Sequence, residues 1–307
     1  MSIKAAALRH HTRYRFDRPV MLSPHEIRLR PLPHCRTQIL SYSLTVVPEK
    51  HIVNWQQDAF GNCVARFLFH DKTQELDVTV DLVADMTAIN PFDFFVDPAA
   101  EIFPFAYLDA QRKNLVPFLV VEEQGPLLKQ WIGDFRAMHA SAINTVDILV
   151  ALNQRLQQDI EYLARMEPGV QTCEQTLRLK SGSCRDSGWL LVQILRHFGF
   201  AARFVSGYQI QLTAEVKPLN AQASSDGDFT DLHAWAEAYV PGAGWIGLDP
   251  TSGLLINEGH IPLACTAFPA DAAPISGTTE LCQSQFDFEI TITRLDKIPG
   301  VTPQSKT

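Results

Sequence analysis

The chain has 307 residues, of which 46% are hydrophobic and 20% are charged. This is enough apolar material for one large domain or two ordinary ones, and it excludes a disordered chain. The 34 Asp and Glu residues outnumber the 26 Lys and Arg residues, for a formal net charge of −8. Because no broad basic field is available for phosphates, nucleic acid and membrane surfaces are not expected partners.

The first residues, MSIKAAALRHHTRYRF, lack the continuous apolar run of a signal peptide, and no stretch approaches the roughly 18 apolar residues of a membrane span. We therefore expect a cytoplasmic protein. Six cysteines are scattered along the chain without a C-x-x-C pair, at positions 35, 63, 173, 184, 265 and 282. This spacing argues against a zinc ribbon or a disulfide framework and suits a reducing compartment.

Short strands separated by turns are predicted over residues 1–100. The run from Leu76 to Leu82 alternates apolar and polar residues, and Asp58–Asn62 supplies turn residues between strand-like runs. This pattern predicts an antiparallel β-sandwich. Proline-rich, aromatic motifs then mark a connector over residues 101–143, which contains one helix starting at Pro126.

Helices and strands alternate over residues 144–265, the predicted catalytic core. Helical spacing predicts one helix over about 145–165 and another that follows Ser183 and ends at Gly199. The capping-box spacing of Thr172 and Gln175 predicts a short helix that starts there and precedes Ser181. Strands are expected over 202–212, 233–240 and 244–249, with a polar loop from Glu215 to Phe229 that is long enough to border a cleft. In the final segment, 266–307, the alternating run QFDFEITIT predicts a strand that returns to the N-terminal sheet.

Cys184 lies in SGSCRDSGW, at the start of the helix that ends at Gly199. Taken alone, it is a candidate structural thiol, metal ligand or nucleophile. A helix N-terminus stabilises a thiolate, and the backbone N–H of Cys184 is placed to donate to an oxyanion. A nucleophilic cysteine also needs a histidine, which in turn needs an orienting group.

Candidates for both partners follow in DLHAWAE and GWIGLDPT. If these two strands form a hairpin through residues 241–244, His233 and Asp249 fall at the ends away from the turn and become neighbours. Asp231 is an alternative orienter, but Asp249 closes a strand whereas Asp231 leaves a loop. Possible cleft-lining residues are Trp235, Trp245, Asp186 and Asp231, although the tryptophans also suit a core and Asp186 also suits a helix cap.

These motifs resemble a known family. Cys184 in G-x-C-R-D, His233 in H-A-W-A-E and Asp249 in G-W-x-x-x-D-P-T are similar to the core of the transglutaminase-like, papain-related cysteine enzymes. The segment RFVSGY at 203–208 is similar to the strand that follows the nucleophile helix in that family. The N-terminal HTRYRF, with Pro19 and Val20, resembles the β-rich domain that precedes this core in bacterial members.

The resemblance implies an α+β protein in which an N-terminal antiparallel β-sandwich precedes a papain-like transglutaminase core. It also implies a Cys184–His233–Asp249 triad that transfers acyl groups through a thioester, with the Cys184 N–H in the oxyanion hole and the second donor unassigned. Water as the acceptor gives a protease or amidase acting on protein or peptide substrates. A lysine amine gives a protein-glutamine acyltransferase.

We expect hydrolysis, because water is always present and the chain shows no acidic calcium-binding loop. The other alternative is a non-catalytic module that uses the fold to bind a protein. We expect no cofactor and no metal, since His10, His11, His25 and His34 lie on alternating strands where histidines usually face water or bond locally. The sequence does not indicate an oligomeric state.

Overall fold

The computed structural model describes residues 4–139, 141–213 and 227–295. Its N-terminal part consists of six strands: β1 (Ala5–Val20), β2 (His25–Ile27), β3 (Ile39–Val47), β4 (His51–Gln57), β5 (Cys63–Phe69) and β6 (Thr73–Asp85). The alternation predicted for β6 is confirmed. Its buried apolar side chains are Leu76, Val78, Val80 and Leu82, and the polar residues between them are more exposed.

The connector contains β7 (Ile102–Phe103), α1 (Asp109–Leu119), α2 (Pro126–Met138) and β8 (Ile143–Asn144). Helix α2 begins at Pro126 as predicted. Helix α1 was not predicted, because Pro117 within it reads as a helix breaker. Pro117 lies in the last turn, however, where it costs the helix a single hydrogen bond.

The core contains α3 (Thr145–Asp159), β9 (Glu161–Tyr162), α4 (Cys173–Leu179), β10 (Ser181–Gly182) and α5 (Cys184–His197). It continues with β11 (Ala202–Gln211), β12 (Phe229–Val240), β13 (Gly244–Asp249), β14 (Leu254–Leu255) and β15 (His260–Thr266). The capping box of Thr172 and Gln175 is present at the start of α4, and Gly199 follows α5 with a positive φ of 91°.

The helix predicted over 145–165 is too long, since α3 ends at Asp159. The Asp159 carboxylate accepts a hydrogen bond from the Trp131 indole at 2.8 Å. Glu161 then pairs in parallel with Ser181, which directs the chain into a strand. Both contacts come from distant parts of the sequence, so local helical periodicity did not reveal the stop.

The central sheet has the order β14-β13-β12-β11-β15, and its pairings are antiparallel. Helix α5 packs on this sheet. A Cβ at Gly188 of α5 would lie 3.6 Å from the backbone of Trp235 in β12. The helix therefore lies directly on the strand that carries His233.

The chain then returns to the N-terminal strands through β16 (Ile275–Ser276) and β17 (Ser284–Leu295). The sandwich consists of one sheet in the order β17-β1-β6-β3 and another in the order β16-β2-β5-β4. β17 runs antiparallel to β1, with Ala5 opposite Leu295 and Phe16 opposite Ser284. The alternating C-terminal run thus lies in the N-terminal sheet.

The sandwich contacts the β11 and β15 side of the core sheet. His10 Nδ1 lies 2.8 Å from the Tyr208 hydroxyl, and the Leu32 N–H donates to the Pro262 carbonyl at 2.9 Å. Of the predicted polar loop Glu215–Phe229, residues 215–226 lie outside the described residues, and Phe229 begins β12. Within the described ranges, every helix falls short of the length and apolar character needed to cross a bilayer.

Candidate active site

Cys184 is the first residue of α5, with Ser183 as the N-cap. The first helical bond of α5 joins the Ser187 N–H to the Ser183 carbonyl at 3.0 Å. Helix geometry therefore leaves the Cys184 N–H without an acceptor inside the helix. The thiol side chain is buried, with 8% of the residue exposed. The structure thus places Cys184 in the first turn of the helix, as predicted.

Asp186 fixes the turn in front of this helix. Its Oδ2 accepts hydrogen bonds from the Ser183 N–H and hydroxyl, both at 2.8 Å. Its other partners are the Arg165 guanidinium and the Gln171 N–H, at 2.7–3.1 Å. Burial alone would raise the pKa of Asp186, but these donors hold it below its ordinary value. Asp186 is fully buried, so the prediction that it lines the cleft is wrong and its helix-capping role is confirmed.

His233 contacts Asp249 directly. The His233 Nε2 atom lies 3.2 Å from Asp249 Oδ1, and Cys184 is near enough to the same ring to help raise its pKa. Asp249 also accepts hydrogen bonds from the hydroxyls of Thr251, at 2.7 Å, and Ser252, at 2.8 Å.

Asp231, the alternative orienter, does not take this place. Its carboxylate accepts a hydrogen bond from the Leu232 N–H at 2.8 Å, while the His233 ring contacts Asp249. Burial raises the pKa of Asp231. Asp231 is half-buried on the same strand as His233, so it is the predicted cleft residue that stays next to the site.

The electrostatics of the pair favour a charged histidine and a charged carboxylate. Burial alone would lower the pKa of His233, but Asp249 and Cys184 raise it to about 10. For Asp249, burial acts to raise the pKa, and the bonds and charges of His233 and His260 outweigh it, leaving the pKa well below its ordinary value. The His233 ring is thus held as an imidazolium beside a buried carboxylate.

Comparison with known proteins agrees with this geometry. Residues 6–85 match the bacterial transglutaminase-like N-terminal region, and residues 136–250, which include all three of these side chains, match the transglutaminase-like superfamily. The chain thus carries a transglutaminase-like core behind a bacterial transglutaminase-like N-terminal region.

Two mycobacterial relatives match over most of their length. The uncharacterized protein Rv2569c of Mycobacterium tuberculosis is 25% identical over 273 residues, which cover 87% of this chain and 85% of that protein. The uncharacterized protein ML0607 of Mycobacterium leprae is 24% identical over 287 residues, covering 93% and 97%. A solved structure, "Putative Cysteine Protease from Cytophaga hutchinsonii", has a TM-score of 0.69 at 19% identity and covers 99% of this chain and 94% of its own. This last likeness shows a shared fold.

The two tryptophans of the transglutaminase-like motifs do not line the site. Trp235 is fully buried and lies over Gly207, because it points from β12 into the packed side of the sheet. Trp245 lies near the hairpin turn, opposite Tyr239, with the Arg203 guanidinium 4.2 Å from its ring centre. The prediction of both as cleft-lining residues is therefore wrong. Position in the strand, rather than residue type, decides which residues reach the site.

Two residues near the site were missed by the sequence reasoning. Tyr162 in β9 pairs with Gly182, two residues before Cys184, and is 54% exposed. Burial, followed by the charges of Cys184 and Asp231, raises the pKa of the Tyr162 hydroxyl. The second residue is His260, whose Nε2 lies 3.6 Å from Asp249 Oδ2. Neither residue lies within the motifs around Cys184, His233 and Asp249, so the sequence carried no local signal for them.

Among the described residues, two groups of three side chains have the spacing of metal ligands: His34, Glu237 and Cys265; and His233, Asp249 and His260. In the first group, the Glu237 carboxylate is already paired with Arg203 at 2.6 Å. Burial raises the pKa of the Cys265 thiol, which disfavours the thiolate that a metal would need. The second group is the acid–base pair of the candidate site with one further histidine. Neither group provides an argument for a resident metal.

Proposed function

We propose that this protein is a cysteine hydrolase that cleaves amide bonds of protein or peptide substrates through a thioester on Cys184. The observation that carries the proposal is the position of His233, which lies 3.2 Å from the buried Asp249 and whose pKa is raised by both Asp249 and Cys184. This is the order of nucleophile, base and orienter that acyl transfer requires. The N-terminal position of Cys184 in α5 supports the same role.

In the acylation step, the Cys184 thiolate attacks the amide carbonyl carbon, and the carbonyl π electrons move onto oxygen. The Cys184 N–H, which has no acceptor within α5, donates to this oxyanion. As the C–N bond breaks, the His233 imidazolium gives its proton to the departing amine. Asp249 stays ionised throughout, because five neighbouring donors and charges stabilise its anion: the ring nitrogens of His233 and His260, the Thr251 N–H and hydroxyl, and the Ser252 hydroxyl.

In the deacylation step, neutral His233 takes a proton from a water molecule that attacks the thioester carbonyl. The C–S bond breaks, a carboxylic acid leaves, and the thiolate–imidazolium pair is restored. The same intermediate would pass to an amine if a lysine side chain reached it before water. The protein-glutamine acyltransferase is thus a second outcome of one mechanism.

The test is incubation with a library of glutamine-containing peptides, with and without an added primary amine. Hydrolysis predicts new amino termini or released ammonia, with no incorporation of the amine. Amine incorporation would instead assign the acyltransferase activity. Cys184→Ala and His233→Ala are the control variants.

A non-catalytic binding module remains the competing account of the fold. Under that account, the wild-type protein would release no more product than Cys184→Ala. It also predicts that Cys184 reacts with an alkylating agent no faster than the other five cysteines, which are at positions 35, 63, 173, 265 and 282. These two results together would refute the enzyme proposal.

A further inference from the structure

His260 contacts Asp249 from the side opposite His233. Its Nε2 atom lies 3.6 Å from Asp249 Oδ2, whereas His233 lies 3.2 Å from Oδ1. The His260 side chain is 6% exposed, and the two imidazole rings have centres 6.0 Å apart. The buried carboxylate is therefore held between two histidines.

The other nitrogen of His260 decides what it presents to Asp249. Nδ1 lies 3.3 Å from the Asn257 N–H and 3.0 Å from Asn257 Oδ1. An Nδ1 that accepts from the Asn257 N–H carries no proton, so the ring proton is on Nε2. An N–H therefore points toward Asp249.

This N–H has no competing acceptor. His260 Nε2 makes no hydrogen bond with any residue in the described ranges, and its contact with Asp249 is slightly longer than a normal hydrogen bond. An unpaired buried donor is costly, whereas a buried donor facing an anion is stabilised by it. The contact is thus electrostatic, and a movement of about half an ångström would convert it to a hydrogen bond.

The ring is held in place from outside the core. The loop before β15 is tied to the N-terminal part of the chain by two hydrogen bonds, since the Thr37 hydroxyl donates to the Glu258 carbonyl at 2.6 Å and the Ile89 N–H donates to Glu258 Oε2 at 3.3 Å. On its other side, the ring packs against the Trp235 indole, with centres 5.3 Å apart. These contacts leave His260 little freedom to turn away from Asp249.

We propose that His260 is a positioning residue, which keeps Asp249 ionised and aimed at His233 and which the N-terminal sandwich holds in place through Thr37. The inference rests on the proposed function, because it acts through the His233–Asp249 pair. Under this proposal, the N-terminal sandwich contributes to the chemistry of the core by holding His260 next to Asp249.

The test follows the pH dependence of Cys184 alkylation by iodoacetate. This anion is attracted by an imidazolium, so its rate falls at high pH as His233 loses its proton. In His260→Ala, water replaces the ring and weakens the His233–Asp249 pair. We expect this high-pH fall to move to lower pH and the rate at pH 7.5 to drop about fivefold, which is less than a direct partner costs.

His260→Gln returns an N–H to the position of Nε2 and is expected to restore the wild-type profile to within about twofold. Thr37→Val removes the hydrogen bond from Thr37 to the Glu258 carbonyl and changes no residue of the core. We expect it to shift the pH profile in the same direction as His260→Ala, by a smaller amount. His10→Gln is the matched control, since His10 is an equally buried histidine in β1. Thermal unfolding of each variant verifies that it is folded.

An unchanged high-pH fall in a folded His260→Ala variant would overturn the proposal. A shift to higher pH would also overturn it, since it would mean that His260 competes with His233 for Asp249. His233→Ala separates the two levels of inference. If His233→Ala keeps the wild-type pH profile of Cys184 alkylation, the proposed function is wrong. If His233→Ala loses the fall in rate at high pH while His260→Ala keeps the wild-type fall, only the role proposed for His260 is wrong.

Discussion

Replacing Asp249 by asparagine tests the electrostatics of the site. Asp249 is fully buried, and its contact with His233 raises the pKa of that ring to about 10. An amide keeps the size of the side chain but removes its charge. With a pKa of about 10, His233 is almost fully protonated at pH 7.5.

Without the carboxylate, only Cys184 still opposes the effect of burial on His233, so the pKa of the ring should fall from its wild-type value of about 10. A smaller fraction of the imidazole is then protonated at pH 7.5. We expect Cys184 in Asp249→Asn to react with iodoacetate at least about tenfold more slowly at this pH. The high-pH fall in rate should move to lower pH than in the wild type.

Peptide mass spectrometry after timed alkylation measures the rate at Cys184, with the buried Cys265 as an internal reference. Asp231→Asn is the matched control, because this carboxylate lies on the strand of His233 but bonds to the Leu232 N–H. It should leave the rate within about twofold. If Asp249→Asn reproduces the wild-type profile, or if Asp231→Asn loses reactivity instead, the assignment of the orienting residue is wrong.

Three further predictions concern stability. Burial lowers the pKa of His10 to about 4 in the folded protein. As the pH falls below about 6.5, His10 therefore takes up a proton in the unfolded chain before it does so in the folded one, which favours unfolding. We expect the free energy of unfolding to decrease by about 2 kcal/mol between pH 7 and pH 5. Urea titrations should show a smaller decline in His10→Gln, and an equal one would contradict the assignment. Asp186→Ala leaves the Arg165 guanidinium without its carboxylate partner and should lower the free energy of unfolding by about 3 kcal/mol. A decrease of less than about 1 kcal/mol would contradict the role of Asp186 in holding the turn before α5. In Gly207→Ala, the new Cβ would lie 2.4 Å from the Ile261 carbonyl oxygen and from the Trp235 ring, so we expect a loss of about 1–3 kcal/mol. Gly188→Ala meets ordinary contacts of 3.4 Å or more and should be neutral or slightly stabilising, so equal losses in the two glycine variants would contradict this packing.

The residues that the sequence placed correctly are those governed by local rules. The N-terminal position of Cys184 follows from the break at Gly182 and the apolar stripe of the helix. The approach of His233 to Asp249 follows from one hairpin, in which Glu237 pairs with Gly247 and the distal ends meet. A turn and a register were sufficient to predict that His233 and Asp249 lie close together.

The errors arise where distant segments decide the outcome. Trp235 shares a motif with His233, yet its side chain points into the space filled by Leu32 from the N-terminal sandwich and by Val205. The end of α3 depends on a parallel bridge to β10, and His260 reaches Asp249 from a strand beyond both motifs. A single sequence contains no local pattern for such contacts.

The most direct measurement of the central claim is the reaction with p-nitrophenyl acetate, an activated ester that acylates a nucleophile without a specific binding site. We expect a rapid burst of about one equivalent of nitrophenolate per chain, with the acetyl group found on Cys184 by mass spectrometry. His233→Ala should slow the burst at least about 100-fold. If the acetyl group falls equally on other cysteines, or if the burst persists in Cys184→Ala, then Cys184 is not the nucleophile.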